Sequence, residues 1–164
     1  GRRRRRHERF NLNAPLSALL KEIRGCRLCR DAPEGAPLPH EPRPVLQASS
    51  TARLGVFGQA PGVRVHASGR PFTDPSGVRL RQWLGVDEAT FYDEKRVAIV
   101  PMGFCFPGLD SKGGDLPPRR ECATRWRAEV IAALPDIRTA VLVGSYAQSW
   151  HLGRGQGSLS ETVA

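Results

Sequence analysis

No apolar run in this 164-residue sequence approaches the roughly 18 residues that a membrane span requires. No signal-peptide core follows the basic start either. The expectation is a cytoplasmic protein with no membrane partner. Acidic residues are in short supply: 16 Asp and Glu face 25 Lys and Arg, for a net charge of +9. That imbalance favours polyanions, because each Lys or Arg set against a phosphate releases condensed counterions. Arg2 to Arg6 form one run, read as part of a solvated, disordered tail over residues 1–12; without those five charges the balance is still +4. Cysteines are scarce as well. There are four, and in a reducing compartment they suit metal ligation better than structural disulfides.

Two nucleotide-binding signatures are also missing. No Gly-Lys-Ser/Thr follows the glycine-rich stretch GVFGQAPGVRVHASGRPF at 55–72, and Gly58, Gly62 and Gly69 miss the dinucleotide spacing. What remains is a strand ending in a loop of unusual composition.

The length and the 40% hydrophobic content fit one domain, placed at residues 13–164. PLSALLKEIR (15–24) puts Leu16, Leu19, Leu20 and Ile23 on one helical face, with Gly25 as a stop. A proline-rich connector follows, expected to be ordered but irregular. RLGVFG (53–58), RVAIVP (96–101) and TAVLVG (139–144) read as short buried strands. Between and after them, 76–85, 117–134 and 145–153 read as helices, the first with Ser76 as its cap. Strands alternating with helices predict an α/β fold of three layers, α/β/α, around a mainly parallel sheet.

Ligands of open parallel sheets bind beyond the carboxyl ends of the strands. GQAPG (58–62) sits at that end of the first strand. Gly58 and Gly62 are expected to give close backbone approach and unusual φ, and Pro61 to stiffen the loop. Backbone N–H groups there suit an anion or a flat polar ring, and Phe72 offers an aromatic face. A tight turn with a core phenylalanine is the plainer alternative.

Cys26 and Cys29 form a C-x2-C pair, and sixteen residues separate Cys105 from Cys122. Two precede the first strand and two flank the loop after the second, so the sheet can bring all four together. Four thiolates suit zinc or an iron–sulfur cluster.

At this point the chain resembles the uracil-DNA glycosylase superfamily, in its iron–sulfur, family 4-like branch. GQAPG, SGRPFTDPSGVRLRQWLGV, IVPMGFCFPG…GGDLPPRREC and VLVGSYAQSWHLG carry the resemblance. It implies a DNA glycosylase of base excision repair that hydrolyses the N-glycosidic bond of uracil or a related deaminated base. It implies further a 4Fe-4S cluster on Cys26, Cys29, Cys105 and Cys122 with a structural role, zinc being the alternative. The substrate-binding loop would be Gly58, Ala60, Pro61 and Gly62, with Phe72 stacking on the base. DNA containing uracil or a related damaged base is the partner, the protein acting as a monomer. Arg119, Arg120, Arg125 and Lys112 lie in or just after the loop closed by the last two cysteines, and some of them are expected at the DNA backbone, with solvated helix positions the plainer reading for Arg125 above all.

The sequence departs from that family in three places. Gln59 and Ala60 stand where relatives carry an acid that positions water; Gln59, His66 and Asp74 are therefore the catalytic candidates. An exposed loop position for His66 and a helix start for Asp74 are their plainer readings. Pro101 and Met102 fall where many relatives have a base-reading asparagine. No His-Pro-Ser loop occurs in RGQGSLSETVA. That loop, and the last of four strands, are expected beyond the sequence shown. Two rivals stay open: a catalytically weak DNA- or base-binding member of the fold, and a four-cysteine zinc protein without a base pocket.

Overall fold

The structure is a computed structural model that describes residues 15–153. The basic tail at 1–12 lies outside the described residues, as do 154–164. So does the question of a fourth strand and a His-Pro-Ser loop.

Three strands, β1 (Leu54–Phe57), β2 (Val97–Ile99) and β3 (Thr139–Leu142), form a parallel sheet in the order β2-β1-β3. Leu54 pairs with Val97 on one side and with Thr139 on the other. Their side chains alternate between two apolar layers, which is why the runs read as continuously hydrophobic. Val56, Val97 and Ile99 face a layer completed by Leu80 and Phe91. Phe57 and Ala98 face a larger layer containing Leu19, Ile23, Trp126, Val130 and Ala147. The architecture is therefore α/β/α.

Among the described residues, eight labelled helices accompany the sheet. Helix α1 (Leu16–Arg24) buries Leu16, Leu19, Leu20 and Ile23, the face its sequence spacing predicts. Helix α2 (Leu28–Asp31) interrupts the proline-rich connector. Helix α3 (Val63–Ser68) occupies part of the stretch expected to be loop. It is too short for apolar periodicity to register, and Val65 is its one buried side chain; Gly69, at φ 71°, ends it in the left-handed conformation. Helix α4 (Pro75–Leu84) starts two residues earlier than Ser76 would have capped it: Asp74 is the N-cap residue and Pro75 opens the first turn. Helix α5 (Glu88–Phe91) is capped by Asp87, whose side chain accepts from the Thr90 amide.

After β2, α6 (Arg120–Cys122) runs through a π-helical segment (Ala123–Arg127) into α7 (Ala128–Ala132). The wider turn brings two consecutive bulky residues, Trp126 and Arg127, into the interior, and such π segments are frequent at functional sites. Helix α8 (Ser145–Leu152) follows β3 directly. No helix among the described residues is long and apolar enough to cross a membrane.

Candidate base pocket and cysteine cavity

Because all three strands run the same way, their carboxyl ends meet at one edge. There the Met102 amide donates to the Gly58 carbonyl (2.9 Å), Gly103 to Gln59 (2.8 Å) and Val143 to Phe57 (2.9 Å). These bonds tie the three post-strand turns together around a cavity of about 200 Å³. The volume is below the 300–1,000 Å³ typical of drug-sized ligands and suits a group the size of one base. Gly58, Gln59, Ala60, Pro61 and Gly62 all line it, with Phe72, Asp74, Pro101 and Asp115.

Neither Gly58 nor Gly62 has a positive φ, contrary to the expectation of unusual backbone there. Their value is space. A β-carbon on Gly58 would sit 3.7 Å from the Phe72 ring, and one on Gly62 would sit 3.4 Å from a carboxylate oxygen of Asp115. The strained backbone falls on Phe72 instead, at φ 55°, a region that side chains avoid unless their surroundings impose it. Tyr92 Oη donates to the carbonyls of Pro71 (2.6 Å) and Phe72 (3.1 Å), and Phe91 meets the Phe72 ring edge-on at 5.9 Å. The half-buried Phe72 ring thus packs on the core layer of Phe91 and turns its tip toward Gly58.

Gln59 is exposed and lies across Gly144, where a β-carbon would come within 2.6 Å of its Cδ. Asp74 reaches the cavity, but its Oδ1 accepts from the Ser76 hydroxyl at 2.6 Å. Its carboxylate makes no cap bond to α4. His66 is not among the lining residues. Its ring is tilted against His40 at 4.5 Å, and burial, His40 and Arg43 together lower its pKa. Asp115 is the lining carboxylate that the sequence reading passed over. Its position between the last two cysteines, in a loop after β2, was the available signal.

Cys26, Cys29, Cys105 and Cys122 line one small apolar cavity with Pro42, Pro44, Phe104 and Trp126. The motif halves, distant in sequence, are therefore brought together. Two donors aim at the sulfurs: Trp126 Nε1 at Cys26 (3.3 Å) and the Phe104 amide at Cys122 (3.4 Å). Burial pushes the Cys29 thiol up to about 11 and that of Cys105 up to about 12. Cys122 moves upward still further, again through burial. Among the described residues, no group of three or more His, Cys, Asp or Glu is arranged to hold a metal ion as it stands.

The basic candidates separate into two kinds. Arg119 is largely buried, paired with Glu121 at 2.6 Å, and donates to the Ala36 carbonyl at 2.7 Å, so its charge is engaged inside the fold. Arg125 pairs with Glu129 at 3.4 Å and lies over the Trp126 ring. Lys112 and Arg120 are exposed. Arg120 shares a groove with Met102, Tyr146 and Trp150.

A buried cation was not foreseen. Arg127 is fully buried; it donates to the carbonyls of Val100 (3.1 Å) and Pro101 (2.9 Å) and to His151 Nε2 (2.7 Å). The His151 ring stacks on Phe57 at 4.7 Å. Burial lowers the Arg127 pKa to about 10. Burial, with Arg127 beside it, lowers that of His151 to about 4.

A doubly covered parallel sheet with a small cavity at its carboxyl edge defines a three-layer α/β protein. The chain belongs to the uracil DNA glycosylase superfamily, whose family model matches residues 46–163. That span includes all of the cavity wall except Val45, and two of the four cysteines.

Proposed function

We propose that the protein hydrolyses the N-glycosidic bond of uracil, or of a related deaminated base, in DNA. The single observation that carries this is the joint placement of Gly58–Gly62 and the Phe72 ring around one cavity of about 200 Å³. A base inside the helical stack hides its glycosidic bond, so the enzyme must extrude it. Phe72 supplies the stacking face. The glycine loop leaves room for the ring, and its backbone, rather than an asparagine at Pro101 or Met102, reads the pyrimidine edge. Gln59, held over Gly144, has a carbonyl oxygen that can orient water, and Asp74 reaches the same cavity.

Cys26, Cys29, Cys105 and Cys122 would hold a 4Fe-4S cluster. Four thiols around one cavity, with N–H donors aimed at two of them, is a donor set that fits the group. A positive centre would also make thiolates of thiols that burial keeps neutral. When bound, the cluster supplies no step of hydrolysis. It ties the connector carrying Cys26 and Cys29 to the loop between Cys105 and Cys122.

The test is incubation of the full-length protein with an oligonucleotide containing one uracil, followed by strand scission at abasic sites. Release of uracil supports the reading. Tight binding of that oligonucleotide without release supports the second reading, a base-binding member of the fold, which the absence of an acid at Gln59 and Ala60 favours. A brown protein with iron and visible absorbance supports the cluster; a colourless protein containing zinc rejects it.

A further inference from the structure

We propose that Asp115 is the carboxylate that orients and deprotonates the attacking water, an assignment that rests on the glycosylase reading above. The loop after the first strand carries no acid, Gln59 and Ala60 standing between Gly58 and Pro61. An amide orients water but takes no proton. Asp74 spends Oδ1 on Ser76 at 2.6 Å, and His66 lies outside the cavity wall. Asp115 lines the cavity, and its Oδ2 stands over Gly62, a glycine of the base-facing loop. Among the described residues its carboxylate makes no side-chain hydrogen bond or ion pair. Both its oxygens are available.

The segment that delivers it is built for the purpose. Asp115 bridges Leu109 in antiparallel fashion. The Leu116 amide donates to Gly108 at 2.9 Å, and Asp110 to Gly114 at 2.7 Å. Asp110 Oδ1 accepts from the amides of Lys112 (2.8 Å) and Gly114 (2.9 Å), the turn by which aspartate rigidifies a loop. Gly113, at φ 81°, closes it. Both ends of the larger loop carry a cysteine of the shared cavity, Cys105 and Cys122. GGDLPP therefore holds a carboxylate against the base pocket by a scaffold anchored at the cysteines.

The step balances as follows. The water oxygen bonds to the sugar anomeric carbon while the glycosidic C–N bond breaks, its electron pair leaving on the base. The water proton passes to Asp115 and then to solvent, and the departing base takes a proton from solvent. A general base contributes about 10²–10⁴-fold to such a step.

The experiment compares single-turnover release of uracil by the full-length wild-type protein and by Asp115→Asn, with affinity for the same oligonucleotide measured alongside. Asp115 is exposed, so the variant is expected to melt with the wild type. Its cleavage rate should fall about 10²–10⁴-fold. Binding should stay unchanged or tighten, because a negative charge facing phosphate is removed. A variant cleaving within threefold of wild type, or one whose loss is all in affinity, overturns the Asp115 assignment and leaves the glycosylase reading standing. Wild type that releases no base overturns that reading and the assignment with it.

Discussion

Gly77 has no β-carbon because the carbonyl of Phe72 occupies the place one would take. The contact links the first turn of α4 to the residue whose φ is 55°. Phe72 is held in an unfavourable backbone region by two partners: the bare Gly77 backbone on one side and the Tyr92 hydroxyl on the other. The aim of the ring toward Gly58 thus depends on a glycine five residues away in sequence.

Gly77→Ala should accordingly force the 71–72 backbone to move. Overpacking of this kind costs about 1–3 kcal/mol, a fall in Tm of several degrees for a chain of this size. Calorimetry of the purified variant measures it. An unchanged Tm would mean that the 72–77 turn relaxes freely and does not aim the ring.

Phe72→Ala tests the ring itself. Base–aromatic stacking is worth about 1–3 kcal/mol, so affinity for an oligonucleotide with an extruded or mismatched uracil should fall about ten- to a hundredfold. Affinity for fully paired, undamaged DNA should not change. Equal losses on both substrates would place Phe72 in general DNA contact rather than in the base pocket.

Most of the sheet was legible because β1 and β2 are buried on both faces and so read as unbroken apolar runs, and β3, though exposed at Thr139 and Ala140, carries the same apolar composition. The three helices of eight residues or more, α1, α4 and α8, were legible for the complementary reason: an apolar face at Leu16–Leu19–Leu20–Ile23, or a glycine stop such as Gly85. Helices α2, α3 and α5 escaped because four to six residues make barely one turn, and capping rather than periodicity sets them. The pocket loop was found by its glycines but for a partly mistaken reason, since those glycines give room and not unusual φ. Arg119 and Arg127 show the deeper limit. Composition presents both as surface charge, whereas one is paired to Glu121 and the other sits under the sheet edge on two carbonyls. Asp115 was passed over because its place at the cavity depends on a fold-back between Gly108 and Leu116, to which only its position between the last two cysteines pointed.

The buried Arg127–His151 pair predicts a pH dependence of stability. The imidazole accepts a hydrogen bond from Arg127, so the fold requires it neutral, and its pKa lies at about 4 against an ordinary 6.5. Above 6.5 the folded and unfolded chains both carry it neutral, and stability is unaffected by this group. As pH falls from 6.5 toward 4, the unfolded chain binds a proton that the folded chain refuses, so stability is lost across that window. Thermal melts at pH 7, 6, 5 and 4 should show the decline, and His151→Gln, which keeps an acceptor for Arg127, should flatten it. A variant that declines as steeply as the wild type assigns the effect to other groups.

Removal of metal should act on the whole domain. If the cysteine cavity holds a cluster, Cys26→Ser and Cys122→Ser should each abolish bound iron and lower Tm together, because both motif halves lose their common anchor. Limited proteolysis should then cut between Cys105 and Cys122 before it cuts elsewhere. Retention of iron by either variant would show that its cysteine is not a ligand.

The last prediction separates charges that can face DNA from charges the fold has already used. Arg120 and Lys112 are exposed, and neither has an ion-pair partner among the described residues; Arg119 is engaged with Glu121 and with the Ala36 carbonyl. Each phosphate contact contributes about 0.9 to the slope of log affinity against log salt. Arg120→Ala or Lys112→Ala should therefore reduce that slope by about one, weaken binding uniformly across sequences and leave Tm unchanged. Arg119→Ala should do the reverse: leave the slope alone and lower Tm, because it strands the largely buried Glu121 carboxylate and frees the connector beside Cys29. Titrations at several salt concentrations, paired with melts, read both quantities on the same preparations. A loss of slope in Arg119→Ala with Tm intact would move that guanidinium out of the fold and onto the nucleic acid.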